Sequence, residues 1–236
     1  MFRFASVLTV STCIACSPAF AQDDNLSYTY FEVDYLNLDV DVIDDNSDIL
    51  DDIDDGDGWA VNGSLAFTPR FFGFSSYSVT DSDVTFVDPT NLLITSNQDV
   101  KRFSTGLGFN VPVFEEYFSR ADFVARAGYT DIDFDDFDLG GTDSDPLDDF
   151  EDAVDDLNED SSDGYFVDAL IRAQIGRPLE ASAGVRYTEI EESDDVSFVG
   201  NVLWEFSPSW GLDLSADVGD EVAMWMVGLR YTFHGG

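Results

Sequence analysis

The feature that most limits what this chain can fold into is a period-two alternation of apolar with small or polar residues. It recurs in stretches of strand length from residue 29 to residue 233. In "AMWMVGLRYTF", Ala223, Trp225, Val227, Leu229, Tyr231 and Phe233 share one face, opposed by Met224, Met226, Gly228, Arg230 and Thr232. Successive side chains of a strand point to opposite sides, so this is one apolar face and one mixed face of smaller residues. "SWGLDLSADV", "VSFVGNVLWEF", "LEASAGVRY", "YFVDALIRAQI", "ADFVARAGYT", "RFSTGLGFNV", "GWAVNGSLAF" and "TYFEVDYL" divide in the same way. "RFFGFSSYSV" is strand-like but leaves its phase open, because Phe71, Phe72 and Phe74 straddle both faces. These are ten candidate strands, most near the 9–11 residues that a tilted strand needs to cross a bilayer. No stretch after Gln22 holds 18 apolar residues in a row, so a membrane-spanning helix is not expected.

The polar face is unlike a solvent face. It combines Gly, Ala and Ser with Arg102, Arg126, Arg172, Arg186 and Arg230, set among Glu32, Asp34, Asp122, Asp168, Glu180, Glu205, Asp213 and Asp217. Lys is nearly absent, with Lys101 alone. Small residues and arginine–carboxylate pairs suit the inside of a narrow barrel, where buried charges must be paired. Connections alternate in length. Short ones lie near Pro69, after Pro112, at 176–178 and at 207–209; the others include 39–58, about 80–99 and about 131–163. Short turns at one end and longer loops at the other fit an up-and-down transmembrane β-barrel. The expected fold is therefore all-β and antiparallel, with ten strands, or eight as the alternative. A soluble acidic β-barrel of a high-salt organism produces the same alternation and stays open as a second reading.

The formal charge of −39, from 49 acidic and 10 basic residues, argues against a nucleic-acid partner, which needs a basic face. Residues 1–21 read as a secretory signal: Arg3, the apolar run "FASVLTVSTCIA", and "AFA" before Gln22. Residues 22–236 are then one barrel domain. Cys13 and Cys16, the only cysteines, fall inside the signal, so the mature chain is expected to carry no disulfide.

At this point the chain resembles the small outer-membrane β-barrel proteins of Gram-negative bacteria, the OmpA-like and porin-like barrels. The resemblance covers residues 26–233. Its sharpest motif is "GLRYTF", with Gly228, Tyr231 and Phe233 spaced as Gly-x-x-aromatic-x-aromatic. The resemblance implies that this terminal strand is an assembly signal read by the barrel-assembly machinery. It implies export through the periplasm, location in the cell outer membrane, and lipid and lipopolysaccharide as surroundings. Aromatics near strand ends (Trp59, Trp204, Trp210, Trp225, Tyr231, Phe233) agree with interfacial girdles.

No catalytic residue is expected. His234, the single histidine, lies beyond the last strand, and there is no mature cysteine. "DDIDDGDG" at 51–58 approaches a calcium loop but places Gly56 where Asp or Asn is required. Asp52, Asp54, Asp55 and Asp57 are thus candidates for loose Ca²⁺ or Mg²⁺ binding, and no tightly held cofactor is expected. Residues 143–163, "DSDPLDDFEDAVDDLNEDSSD", form the longest loop. Leu147, Phe150, Val154 and Leu157 there have helical spacing, with Asp145 as N-cap and Pro146 at the first helical position, so a helix over 146–158 is one reading and a solvated loop the other. The expected function is a structural or surface-interaction role with a side-chain-filled interior. A narrow cation-preferring pore is the alternative.

Overall fold

The computed structural model describes residues 26–40, 50–53, 56–87, 93–114, 120–134, 161–176, 178–191, 193–220 and 222–233. They form β1 (Tyr30–Val40), β2 (Leu50–Ile53), β3 (Gly56–Ala66), β4 (Phe71–Val87), β5 (Leu93–Pro112), β6 (Ala121–Phe134), β7 (Ser162–Gly176), β8 (Leu179–Ile190), β9 (Ser193–Glu205), β10 (Trp210–Val218) and β11 (Val222–Thr232). Ten of these pair antiparallel in a ring, in the order β4-β3-β1-β11-β10-β9-β8-β7-β6-β5 and back to β4. The ring closes where β1 meets β11, from Tyr30↔Thr232 to Val40↔Val222. β2 lies outside the ring, paired only with the far end of β4 (Leu50↔Phe86, Ile53↔Val84).

The stretch near 80–99, read from sequence as a connection, is instead a continued hairpin. β4 and β5 stay paired from Thr80↔Val100 to Val87↔Leu93. Val79, Val84, Thr85, Phe86, Ile94 and Thr95 favour extended backbone, and the ladder keeps its hydrogen bonds past the end of the barrel wall. The segment 146–158 lies outside the described residues, as do the signal segment and His234.

The outer face carries the large apolar residues. Phe31, Val33, Leu65, Leu107, Val167, Val185, Phe198, Val202, Leu212, Leu214, Val227 and Leu229 are all exposed. Aromatics bound this band at both ends. Tyr35, Trp59, Tyr77, Tyr129, Tyr165 and Trp225 lie toward the long-loop end; Phe67, Phe71, Trp204, Phe206, Trp210 and Phe233 lie toward the short-turn end. Phe233, just past the end of β11, follows Trp225 by eight residues. That is about 27 Å of strand, or roughly 20 Å of height at a tilt of about 40°. A hydrophobic band of that height, all around a closed wall, is solvated by hydrocarbon and not by water. This is a transmembrane barrel.

The open phase of β4 resolves inward for Phe72 and Phe74. Phe71 points out, half exposed, and Phe72 is buried. Glycines on the neighbouring strand β5 make the room: a Cβ on Gly108 would overlap the Phe72 ring, and one on Gly106 would come within 2.6 Å of Phe74. On β6, a Cβ at Gly128 would lie 2.7 Å from the Phe166 ring. Gly106, Gly108 and Gly128 are therefore sites where a ring approaches bare backbone.

Two outcomes follow from these faces. Val227→Arg should lower folding stability by about 2–4 kcal/mol, as charge does at mid-bilayer on a lipid face. On a water-facing sheet the same change would stay within about 0.5 kcal/mol, and urea titration of barrels folded in lipid vesicles separates the two. Gly108→Ala should cost about 1–3 kcal/mol by overpacking against Phe72, read as a lower urea midpoint with an unchanged slope.

Candidate functional site in the barrel interior

Inside the wall, charged residues meet mainly as cross-strand neighbours. Near the short-turn end, Arg172 of β7 reaches Glu180 of β8 (Nε–Oε1 2.5 Å). Its Nη1 donates to the carbonyl of Ser27 at 2.9 Å. The same guanidinium lies over the Tyr28 ring, 4.6 Å from its centroid. Tyr28 stacks on Phe72 (4.7 Å, 22°) and donates its hydroxyl to Asp122 Oδ2 at 2.7 Å. Leu26, Tyr28, Phe72, Val124, Leu170 and Val199 form one buried apolar cluster across this part of the interior. The segment before β1 is thus folded into the barrel mouth and held there by both charge and rings.

Midway, Arg230 of β11 sits opposite Glu32 of β1 and hydrogen-bonds to it through Nε. Its Nη2 reaches Asp213 Oδ2 of β10 at 2.9 Å, and its guanidinium covers the Tyr30 ring at 4.3 Å. Asn201 donates to both oxygens of Asp213 at 2.6 Å, and Asn62 donates to Asp34 Oδ2 at 2.6 Å. Toward the long-loop end, Asp168 lies between two directly opposed arginines. Arg126 approaches from β6 (Nη2–Oδ2 2.5 Å) and Arg186 from β8 (Nε–Oδ1 2.8 Å). Arg186 also pairs with Asp217 through Nη1. The Arg126 and Arg186 guanidiniums cover Phe74 and Phe166, at 5.5 and 5.1 Å. Arg102 donates through Nε to Thr130 Oγ1 at 3.1 Å and has no carboxylate at ion-pair distance among the described residues.

Of the charges assigned to the interior from sequence, Glu32, Asp34, Asp122, Asp168, Glu180, Asp213 and Arg230 are buried, and Arg102, Arg126, Arg172, Arg186, Glu205 and Asp217 are partly buried. Gly228 lies between Asp34 and Asp213 in the cross-strand row. Tyr231 packs edge-on against Trp210 and Phe233, both at 4.9 Å. Asp57 is exposed at the start of β3; Asp52 falls in β2, and Asp54 and Asp55 lie outside the described residues. Sequence reasoning missed the inward rings Tyr28, Phe72, Phe74 and Phe166. A usable signal was present: Phe72 and Phe74 are in phase with Ser76 and Ser78, the small residues of the inner face.

What the side chains leave open is a cavity of about 240 Å³, lined among others by Ser76, Ser78, Arg102, Ser104, Ser182 and Ser215. A lumen of this kind can hold water and small ions.

No family model matches the chain, and no curated protein matches it. Among solved structures it is similar to the outer membrane protein OprG from Pseudomonas aeruginosa, at 13% identity and a TM-score of 0.47, covering 89% of this chain and 99% of that one. It is similar to the KdgM porin in complex with disordered oligogalacturonate, at 12% identity and a TM-score of 0.45, covering 86% and 99%. It is also similar to Ail, the attachment invasion locus protein of Yersinia pestis, in complex with the heparin analogue sucrose octasulfate, at 13% identity and a TM-score of 0.37, covering 87% and 97%. At these values the functional reading rests on the chain's own residues.

Asp168 is the carboxylate on which two guanidiniums depend. Asp168→Asn should lower stability by about 3–5 kcal/mol, because partly buried Arg126 loses its carboxylate while Arg186 keeps only Asp217. Asp57→Asn, on an exposed carboxylate, should change it by less than about 0.5 kcal/mol. Urea midpoints of the two folded variants give the comparison.

Proposed function

We propose that the chain is an integral outer-membrane β-barrel with a structural or surface-interaction role, its interior closed by its own side chains. Residues 1–21 direct export and are removed, and the barrel enters the outer membrane from the periplasm with both termini on the periplasmic side. Gly228, Tyr231 and Phe233 serve as the assembly signal for the barrel-assembly machinery. Lipid and lipopolysaccharide surround the wall, and no nucleic acid is a partner. No catalytic role is proposed, since the interior carboxylates are engaged by guanidinium, amide or hydroxyl donors and not arranged around a nucleophile. The acidic residues Asp52, Asp54, Asp55 and Asp57 attract Ca²⁺ or Mg²⁺ loosely at the long-loop end, where hard cations also bridge lipopolysaccharide phosphates.

The observation that carries the closed reading is the stack at the short-turn mouth. Arg172, Tyr28 and Phe72 lie face to face across it, and Leu26 packs in the same cluster. A ten-stranded barrel is close to the size at which side chains alone fill the interior. The second reading, a narrow cation-preferring pore, is favoured by the serine-lined cavity and by the excess of carboxylates over guanidiniums on the inner wall.

Planar-bilayer recording tests the choice. The wild-type barrel should show no steady single-channel steps, and the Tyr28→Ala/Phe72→Ala double variant should show them. Reproducible steps in the wild type would replace the closed reading with the pore. Recovery of the protein in a detergent-free periplasmic fraction would remove the membrane placement itself.

A further inference from the structure

Glu32, Asp34 and Asp213 are all buried, and one oxygen from each lies within 4.8 Å of the others. They come from β1 and β10, which are not neighbours; β11 runs between them. The strand between is bare at the point that matters. Gly228 pairs with Asp34 on one side and with Asp213 on the other, and Asp34 Oδ1 occupies the space where a Gly228 side chain would be. The missing side chain lets the two carboxylates lean together across β11.

The cluster is not balanced by its own neighbours. Arg230 engages Glu32 and Asp213 but not Asp34, so three carboxylates share one guanidinium. With all three ionised, two negative charges are left over inside a hydrocarbon-clad wall, where an uncompensated charge costs several kcal/mol. Asp34 is 2% exposed, and its Oδ1 is buried with no hydrogen-bond partner among the described residues. A buried orphan carboxylate oxygen, set over a glycine beside a second carboxylate, calls for a partner.

We propose that Glu32, Asp34 and Asp213 bind one hard divalent cation of the Ca²⁺ class. The charge fits, since a single divalent ion offsets the two residual negative charges. The spacing fits, since oxygens on opposite sides of a Ca²⁺ ion at 2.3–2.6 Å lie about 5 Å apart. Asn62 and Asn201 donate to Asp34 Oδ2 and to Asp213, which holds these two carboxylates in place beside the ion. Glu32, Asn62 and Asn201 line the interior cavity, which provides the route of entry. The ion ties β1 to β10 across β11, next to the seam that closes the barrel. This role goes beyond the structural reading above and does not depend on whether the barrel conducts.

The competing state is a proton shared by Asp34 and Asp213, and the experiment separates the two. The full mature chain, folded in detergent, is compared with Asp34→Asn, which keeps every loop carboxylate and every ion pair of Arg230. In EDTA and then in Ca²⁺, the wild type should hold about one Ca²⁺ more than the variant by equilibrium dialysis. Its melting temperature should rise by several degrees more than that of the variant. Equal Ca²⁺ binding and equal shifts in the two proteins overturn the proposal. Should Asp34→Asn fail to fold, wild-type crystals soaked in Tb³⁺ decide it: an anomalous peak among the three carboxylates is expected, and its absence overturns the site.

Discussion

Closure of the sheet between β1 and β11 is the constraint from which the other features follow. An open ten-stranded sheet would present two rows of unpaired amides and carbonyls, and hydrocarbon offers them no partner. The paired seam from Tyr30↔Thr232 to Val40↔Val222 removes both edges at once. With the wall closed, every strand has one face toward lipid and one toward a narrow interior. The usual arrangement of a soluble protein is thereby inverted: Val227, Leu229 and Trp225 face outward, while Arg230 and Asp213 are buried.

That inversion sets the chemistry of the interior. Charges there can persist only when matched, and cross-strand placement does the matching. Arg126, Asp168 and Arg186 stand directly opposite one another on β6, β7 and β8, and Glu32 stands opposite Arg230. The guanidiniums of Arg126, Arg172, Arg186 and Arg230 also cover the rings of Phe74, Tyr28, Phe166 and Tyr30, so each of these four has an aromatic face as well as a carboxylate partner. Glycine governs where this is possible. Gly106, Gly108 and Gly128 clear space for rings, and Gly228 clears space for the Asp34 carboxylate. The same residue type thus makes room for aromatic rings in one sector and for a carboxylate in another.

Much of the fold was legible in the chain before its structure. Alternation in β7 through β11 places Val167, Val185, Phe198, Leu212 and Leu229 on one side, because a period of two leaves only one choice of face once the charged residues are assigned. β4 was harder. Phe71, Phe72 and Phe74 satisfy either phase, and the choice rests on glycines of β5 that are more than 30 residues away in sequence. The extended β4–β5 hairpin was hidden for a different reason: Asp81, Ser82, Asp83, Ser96 and Asn97 read as loop composition, while the pairing that makes them strand is a property of two segments together.

What the sequence alone determined is the wall: its antiparallel strands and the faces of those with clean alternation, since these follow from local periodicity and from the cost of placing charge in lipid. What only the tertiary structure decided is which interior residues meet. Tyr28 closing on Phe72 and Arg172, and Asp34 reaching Asp213 over Gly228, depend on register around a closed ring. Register couples residues as far apart as Asp34 and Asp213, and no local pattern carries that information.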